Sequence, residues 1–123
     1  MKQIFSKKAP KAIGPYSQAI QAGSLVFCSG QIAIDPKTNE LKPGTIIEET
    51  TRVIENLKAV LEQAHSGLEK TIKVTVYLLN IDNFTEMNKV YKKYFLNKPA
   101  RSTIEVSKLP KGAKIEIDVI AEI

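Results

Sequence analysis

Between two stretches of helical periodicity lie residues 71–79, where Ile72, Val74, Val76 and Leu78 alternate with Lys73, Thr75, Tyr77 and Leu79. Alternation sends successive side chains to opposite faces of a strand, so one face is apolar and the other only half polar. The stretch before it starts after Gly44, with Thr45 and Glu48 at capping-box spacing. Val53, Ile54, Leu57, Val60, Leu61 and Ala64 then form a continuous helical stripe. Gly67 is the expected left-handed stop, with His65 in the last turn, where a cation complements the helix dipole. Such a helix spans roughly 30 Å. The stretch after the strand, residues 83–95, shows Phe84, Met87, Val90, Tyr91, Tyr94 and Phe95 on one side. That spacing belongs to a buried helical face rather than a stacking platform.

The remaining segments read as strands. Residues 2–6 form a first strand, and residues 18–22 and 25–30 form a hairpin joined near Gly23-Ser24. Asp35-Pro36-Lys37-Thr38-Asn39 is a turn, because proline presets one dihedral and Asp and Asn bond locally to the backbone. The order β-β-β-α-β-α-β-β predicts an α+β fold, a mixed sheet with two helices packed on one face. Nothing remains to cover the other face, which would expose Tyr77, Leu79 and Ile120. Open apolar faces meet partners, and self-association is the economical expectation. At 123 residues, with no repeat or linker, residues 1–123 make a single domain with one hydrophobic core.

The one cysteine, Cys28, sits in an apolar strand and has no second Cys for a disulfide or metal pair. No apolar run follows the N-terminal lysines, and none approaches the length of a membrane span. A soluble, cytoplasmic protein without membrane contact is expected. The net charge of +5 would favour anionic ligands. The lysines are scattered, however, and lack the aromatic interleaving of a nucleic-acid module. A solvated basic surface is the preferred reading, with no nucleic-acid partner.

The closing quarter carries the chemistry. In Pro99-Ala100-Arg101-Ser102-Thr103-Ile104-Glu105-Val106, Arg101, Thr103 and Glu105 share one face, and Ser102, Ile104 and Val106 the other. In the later segment Ile115, Ile117 and Val119 oppose Glu116 and Asp118. If the two segments pair as a hairpin with their apolar rows together, one Arg and one Glu reach the same non-core face. That would set a carboxylate receptor beside a general base. From spacing alone, Arg101 serves equally well as an ion-pair partner of Glu105.

Several segments carry a resemblance. Pro99-Ala100-Arg101-Ser102, Leu109-Pro110 and Ile115-Glu116-Ile117 look like the signature of the reactive-intermediate deaminase family (RidA, also called YjgF-like or endoribonuclease L-PSP). Ala12-Ile13-Gly14-Pro15-Tyr16-Ser17-Gln18-Ala19, Cys28-Ser29-Gly30-Gln31-Ile32 and Val53-Ile54-Glu55-Asn56-Leu57-Lys58 resemble the same family, in order and over nearly the full length. The resemblance implies a chorismate-mutase-like fold, a homotrimer with active sites at subunit clefts, and hydrolysis of 2-imino acids such as 2-iminopropanoate and 2-iminobutanoate to 2-keto acids and ammonia.

On that resemblance Arg101 would bind the substrate carboxylate, since guanidinium offers a planar two-bond fork that stays charged. Glu116 would position and activate water, with Asp118 a rival on the same face. Tyr16 would place a hydroxyl beside the substrate, and Gly30 would allow close backbone approach. Thr103 stands where many members carry Cys, a contact the backbone can make. Asn88 would shape the cleft, or else be an exposed helical Asn. Leu96-Asn97-Lys98 is short compared with some relatives. No cofactor and no metal is expected, because an imine is already electrophilic and the chain lacks a phosphate loop, a metal cluster or a Ser-His-Asp set. Two competing readings are a ribonuclease or RNA-binding protein and a non-enzymatic regulatory or chaperone-like trimer.

Overall fold

The alternating run after the first helix becomes an inner strand. In the computed structural model, which describes Met1–Ile123, the strands are β1 (Lys2–Ile4), β2 (Ala19–Ala22), β3 (Leu25–Gln31), β4 (Ile34–Asp35), β5 (Glu40–Leu41), β6 (Thr71–Leu78), β7 (Ala100–Glu105) and β8 (Ile115–Glu122). The helices are α1 (Ile46–Gln63) and α2 (Phe84–Tyr94). Six strands form one mixed sheet in the order β1-β2-β3-β8-β6-β7, and β4 and β5 form a small separate hairpin around the expected Asp35–Asn39 turn. The α+β architecture matches expectation.

One face of the sheet is dry. Val53, Ile54, Leu57, Val60 and Leu61 of α1 and Met87 and Val90 of α2 pack with Val74, Val76 and Leu78 of β6 and with Ile115, Ile117 and Val119 of β8. Ile72 does not join that row. A register shift lets Thr71 pair with Ala121 and Lys73 with Ile120, and the extra residue leaves Ile72 42% exposed. On the opposite face Phe27 pairs with Ile120 and Tyr77 with Ile104. Phe27 and Ile104 are both exposed there, so the predicted open apolar face exists.

The expected pairing of the last two segments as a hairpin is overturned. β7 pairs parallel with β6, and β8 lies between β3 and β6. The reason is burial. The alternate residues Ile115, Ile117, Val119 and Ala121 are at most 1% exposed, which suits an inner strand. No residue of β7 is buried, which suits an edge. The crossover through α2 supplies the connection that a parallel β6–β7 pair requires.

Helix α1 starts as its sequence predicts. The Glu48 N–H donates to Thr45 Oγ1 at 3.2 Å and the Thr45 N–H donates to Glu48 Oε1 at 3.0 Å. The Thr45 backbone N–H also holds the Glu48 carboxyl below its usual range. The stop differs from expectation. Gly67 is extended, and His65 takes the left-handed conformation at φ 60°. The His65 N–H bonds to the Glu62 carbonyl at 3.0 Å and the Ser66 N–H to the Leu61 carbonyl at 2.9 Å, a Schellman ending.

Three buried polar side chains tie loops to this frame. Gln18 accepts from the Ser6 N–H at 2.6 Å and donates to the Pro10 carbonyl at 2.7 Å. Asn56 of α1 donates to the Ile34 carbonyl at 2.9 Å. Glu49, 1% exposed, accepts from the Lys114 N–H at 2.9 Å and from Lys114 Nζ at 3.3 Å. These bonds fix the N-terminal loop and the approach to β8, the two segments that frame Glu116. Cys28 is buried as predicted. Burial, and then the charge of Asp118, push its thiol up to about 12.

Candidate active site

Alternation along β8 directs Glu116 to the open face, opposite its buried neighbours Ile115 and Ile117. Beside it, the β3–β8 ladder shifts register between Cys28 and Gln31, where Gly30 lies. A Cβ on Gly30 would stand 2.3 Å from Glu116 Oε2 and 2.8 Å from its Cδ. Glycine is therefore what lets the carboxylate lie across the strand. A cavity of about 370 Å³ opens here, lined by Glu116, Gly30, Ser29, Tyr16, Ile13 and Pro110, among others. The Gln18 clamp holds the loop that carries Tyr16, and Ser29 Oγ donates to the Ser17 carbonyl at 2.6 Å. Tyr16 remains 48% exposed at the rim. Glu116 forms no ion pair within the chain. Burial, reinforced by the charge of Asp118, raises its carboxyl above the usual range. Asp118 accepts a 3.0 Å hydrogen bond from the Tyr77 hydroxyl.

Arg101 occupies a different place. It leaves β7 toward α2, where Phe84, Asn88 and Tyr91 fall at i, i+4 and i+7 on one helix face. Arg101 Nη1 donates to Asn88 Oδ1 at 2.8 Å. Its guanidinium carbon lies 4.5 Å from the Tyr91 ring centroid and 5.4 Å from that of Phe84. Rings at that range attract the cation and fix its plane. Two residues along β7 on the same face, the Thr103 hydroxyl is buried without a hydrogen-bond partner, as is that of Tyr91. Burial raises the Tyr91 phenol, and the Arg101 charge opposes that shift. Glu105 is not the partner of Arg101; it accepts from the Ile81 N–H at 2.9 Å. Lys98 (φ 52°) and Pro99, from the short loop before β7, border a cavity shared with Arg101 and Tyr91.

The expectation that Arg101 and Glu116 share one face within a chain is therefore overturned. Arg101 stands beside the buried Val74 and Glu116 beside Tyr77, on opposite faces of β6. The named residues divide into two groups. Tyr16, Gly30 and Glu116 meet on the open face, whereas Arg101, Asn88 and Thr103 meet between β7 and α2. Sequence reasoning took Phe84 and Tyr91 only as core and did not single out Gln18. A signal for the aromatic walls was present, since Asn88 lies one helical turn from each on the same face.

The sequence profile of the family described as Endoribonuclease L-PSP matches residues 6–123. A RutC family protein of Pyrococcus abyssi is 56% identical over 119 residues, covering 96% of this chain and 94% of that one. The 2-iminobutanoate/2-iminopropanoate deaminase of Mus musculus is 40% identical over 121 residues, covering 98% and 90%. Among solved structures, Escherichia coli TdcF with bound serine superposes with a TM-score of 0.95 at 38% identity, covering 100% of this chain and 99% of that one.

Proposed function

Since the chain belongs to the endoribonuclease L-PSP, or RidA, family, we propose that it hydrolyses 2-imino acids to 2-keto acids and ammonia at clefts formed between copies of itself in a homotrimer. The observation that carries this reading is the split of the site. A carboxylate without a cation waits on one face of the sheet, and a guanidinium without a carboxylate waits on the other. Two copies, each lending one half, would complete a pocket for a small acid. The exposed Phe27 and Ile104 supply apolar surface for such contact. The likeness to the mouse deaminase, and to TdcF with its bound amino acid, supports a small substrate bearing nitrogen and a carboxylate.

In this reading Arg101 of one copy grips the substrate carboxylate through two parallel bonds. Asn88 and the aromatic walls hold the fork in plane, so binding also fixes the direction of the imine carbon. Glu116 of the adjoining copy receives a proton from water as the water oxygen adds to that carbon and the C=N electron pair moves to nitrogen. The nitrogen takes up that proton to give an amine, the hydroxyl's proton then passes through the same carboxylate to the nitrogen as the C–N bond breaks, and ammonia and the keto acid depart. Because the imine carbon is already electrophilic, the reaction asks only for orientation and proton transfer. RNA cleavage is less well supported, since acid–base cutting is commonly shared with a histidine and His65 lines neither cavity.

The test generates 2-iminobutanoate with a threonine dehydratase and traps surviving imine with semicarbazide. Wild-type protein should lower the trapped product and Arg101→Ala should not. Equal trapping with wild type and with no added protein would refute the proposed activity.

A further inference from the structure

The mechanism leaves unused a second carboxylate on the face of Glu116. Asp118 lies two residues along β8, about 7 Å away by strand rise, and opposite Thr75 on β6. Its one hydrogen bond comes from Tyr77, the residue paired with Glu116 itself. A single phenol on β6 thus stands next to Glu116 and anchors its acidic neighbour. An exposed strand Asp would be free to swing into water; this one is tethered.

We propose that Asp118, held by Tyr77, is a positioning residue for the imine hydrolysis, a fixed negative neighbour through which Glu116 keeps the proton taken from water until the nitrogen needs it. The inference rests on the deaminase reading of the site. No proton is gained or lost overall: water gives its two protons to Glu116 in turn, one on addition and one from the hydroxyl on cleavage, and Glu116 gives each to the nitrogen, which departs as ammonia.

The surroundings leave this role to Asp118. On β8 it is the adjacent charged side chain of the open face, and on β6 the facing groups are Tyr77 and Thr75. On β3 the neighbour is Gly30, without a side chain. The N-terminal loop brings Tyr16 and Lys11, the latter exposed and the one cation lining the cavity. Arg101 of an adjoining copy would bring the opposing positive charge, so the carboxyl would sit between an anion fixed by its own strand and a cation occupied by substrate. The direction of the Glu116 shift, with Asp118 among its causes, agrees with this placement.

The test follows Glu116 directly by carbon NMR of its carboxyl through a pH titration, alongside the pH profile of imine turnover. Wild type is compared with Asp118→Asn, Asp118→Glu and Tyr77→Phe. Asp118→Asn should move both the Glu116 midpoint and the acidic limb of kcat/KM to lower pH and reduce plateau kcat roughly 10-fold, a fraction of the roughly 10²–10⁴-fold that full acid–base help supplies. Asp118→Glu, which keeps the charge, should restore much of the wild-type profile. Tyr77→Phe should give a smaller shift in the same direction. A Glu116 midpoint and acidic limb unmoved in Asp118→Asn, with wild-type turnover intact, would overturn the role of Asp118. Wild-type protein inert toward imines, with the Glu116 midpoint still responsive to Asp118, would overturn the deaminase reading instead.

Discussion

Gly30 and Glu116 are in such close register that a methyl group on the glycine would fall 2.3 Å from the glutamate Oε2. A non-bonded carbon and oxygen do not approach that closely, so a side chain at position 30 must displace the carboxylate. Gly30→Ala is expected to cut kcat by about 100-fold, the scale of a misplacement of roughly 1 Å. Overpacking of this kind destabilises by about 1–3 kcal/mol, so the variant should still fold. Turnover and thermal unfolding measured together check both parts. Undiminished turnover in a folded variant would show that the position of Glu116 is unimportant.

The raised carboxyl of Glu116 has a consequence for stability. The folded chain holds this proton more tightly than the unfolded one, so the favourable contribution is present below about pH 4.5, the ordinary glutamate value. It is lost as pH rises through the folded value, because the ionised form is the one disfavoured by burial. Glu116→Gln removes that loss. Urea denaturation should therefore find the variant more favoured relative to wild type at pH 7 than at pH 4. A stability difference independent of pH would contradict the assignment.

Cys28 should be silent in the native state. Its thiol is buried and pushed up to about 12, so almost none is thiolate at pH 8. Ellman's reagent is expected to label no thiol in the folded protein and one per chain in denaturant. Rapid labelling of native protein would mean that the strand opens or that the thiol is activated.

Local chemistry was largely legible in the sequence. Thr45 and Glu48 announced the start of α1, and the apolar rows of β6 and β8 announced the core, because capping and alternation are decided by neighbours along the chain. The family signature likewise drew attention to Arg101 and Glu116. What the sequence concealed were relations between distant segments. The pairing of β7 with β6 rather than β8 depends on a crossover through α2, and it reverses which side of the sheet Arg101 occupies. The register shift that exposes Ile72 leaves the alternating letters unchanged. His65 ends α1 in a conformation usually given to glycine, so Gly67 was the natural but mistaken choice.

The central claim is that a working site takes Arg101 from one chain and Glu116 from another, because one chain holds them on opposite faces of its sheet. Arg101→Ala and Glu116→Gln should each abolish imine hydrolysis as homotrimers. Co-assembled from equal amounts of the two, random trimers would join an intact Arg101 half to an intact Glu116 half at about a quarter of their clefts, by the symmetry of a closed ring. Imine turnover in the mixed trimers should accordingly recover to about a quarter of wild type. No recovery, in mixtures shown by mass spectrometry to have exchanged subunits, would contradict the account.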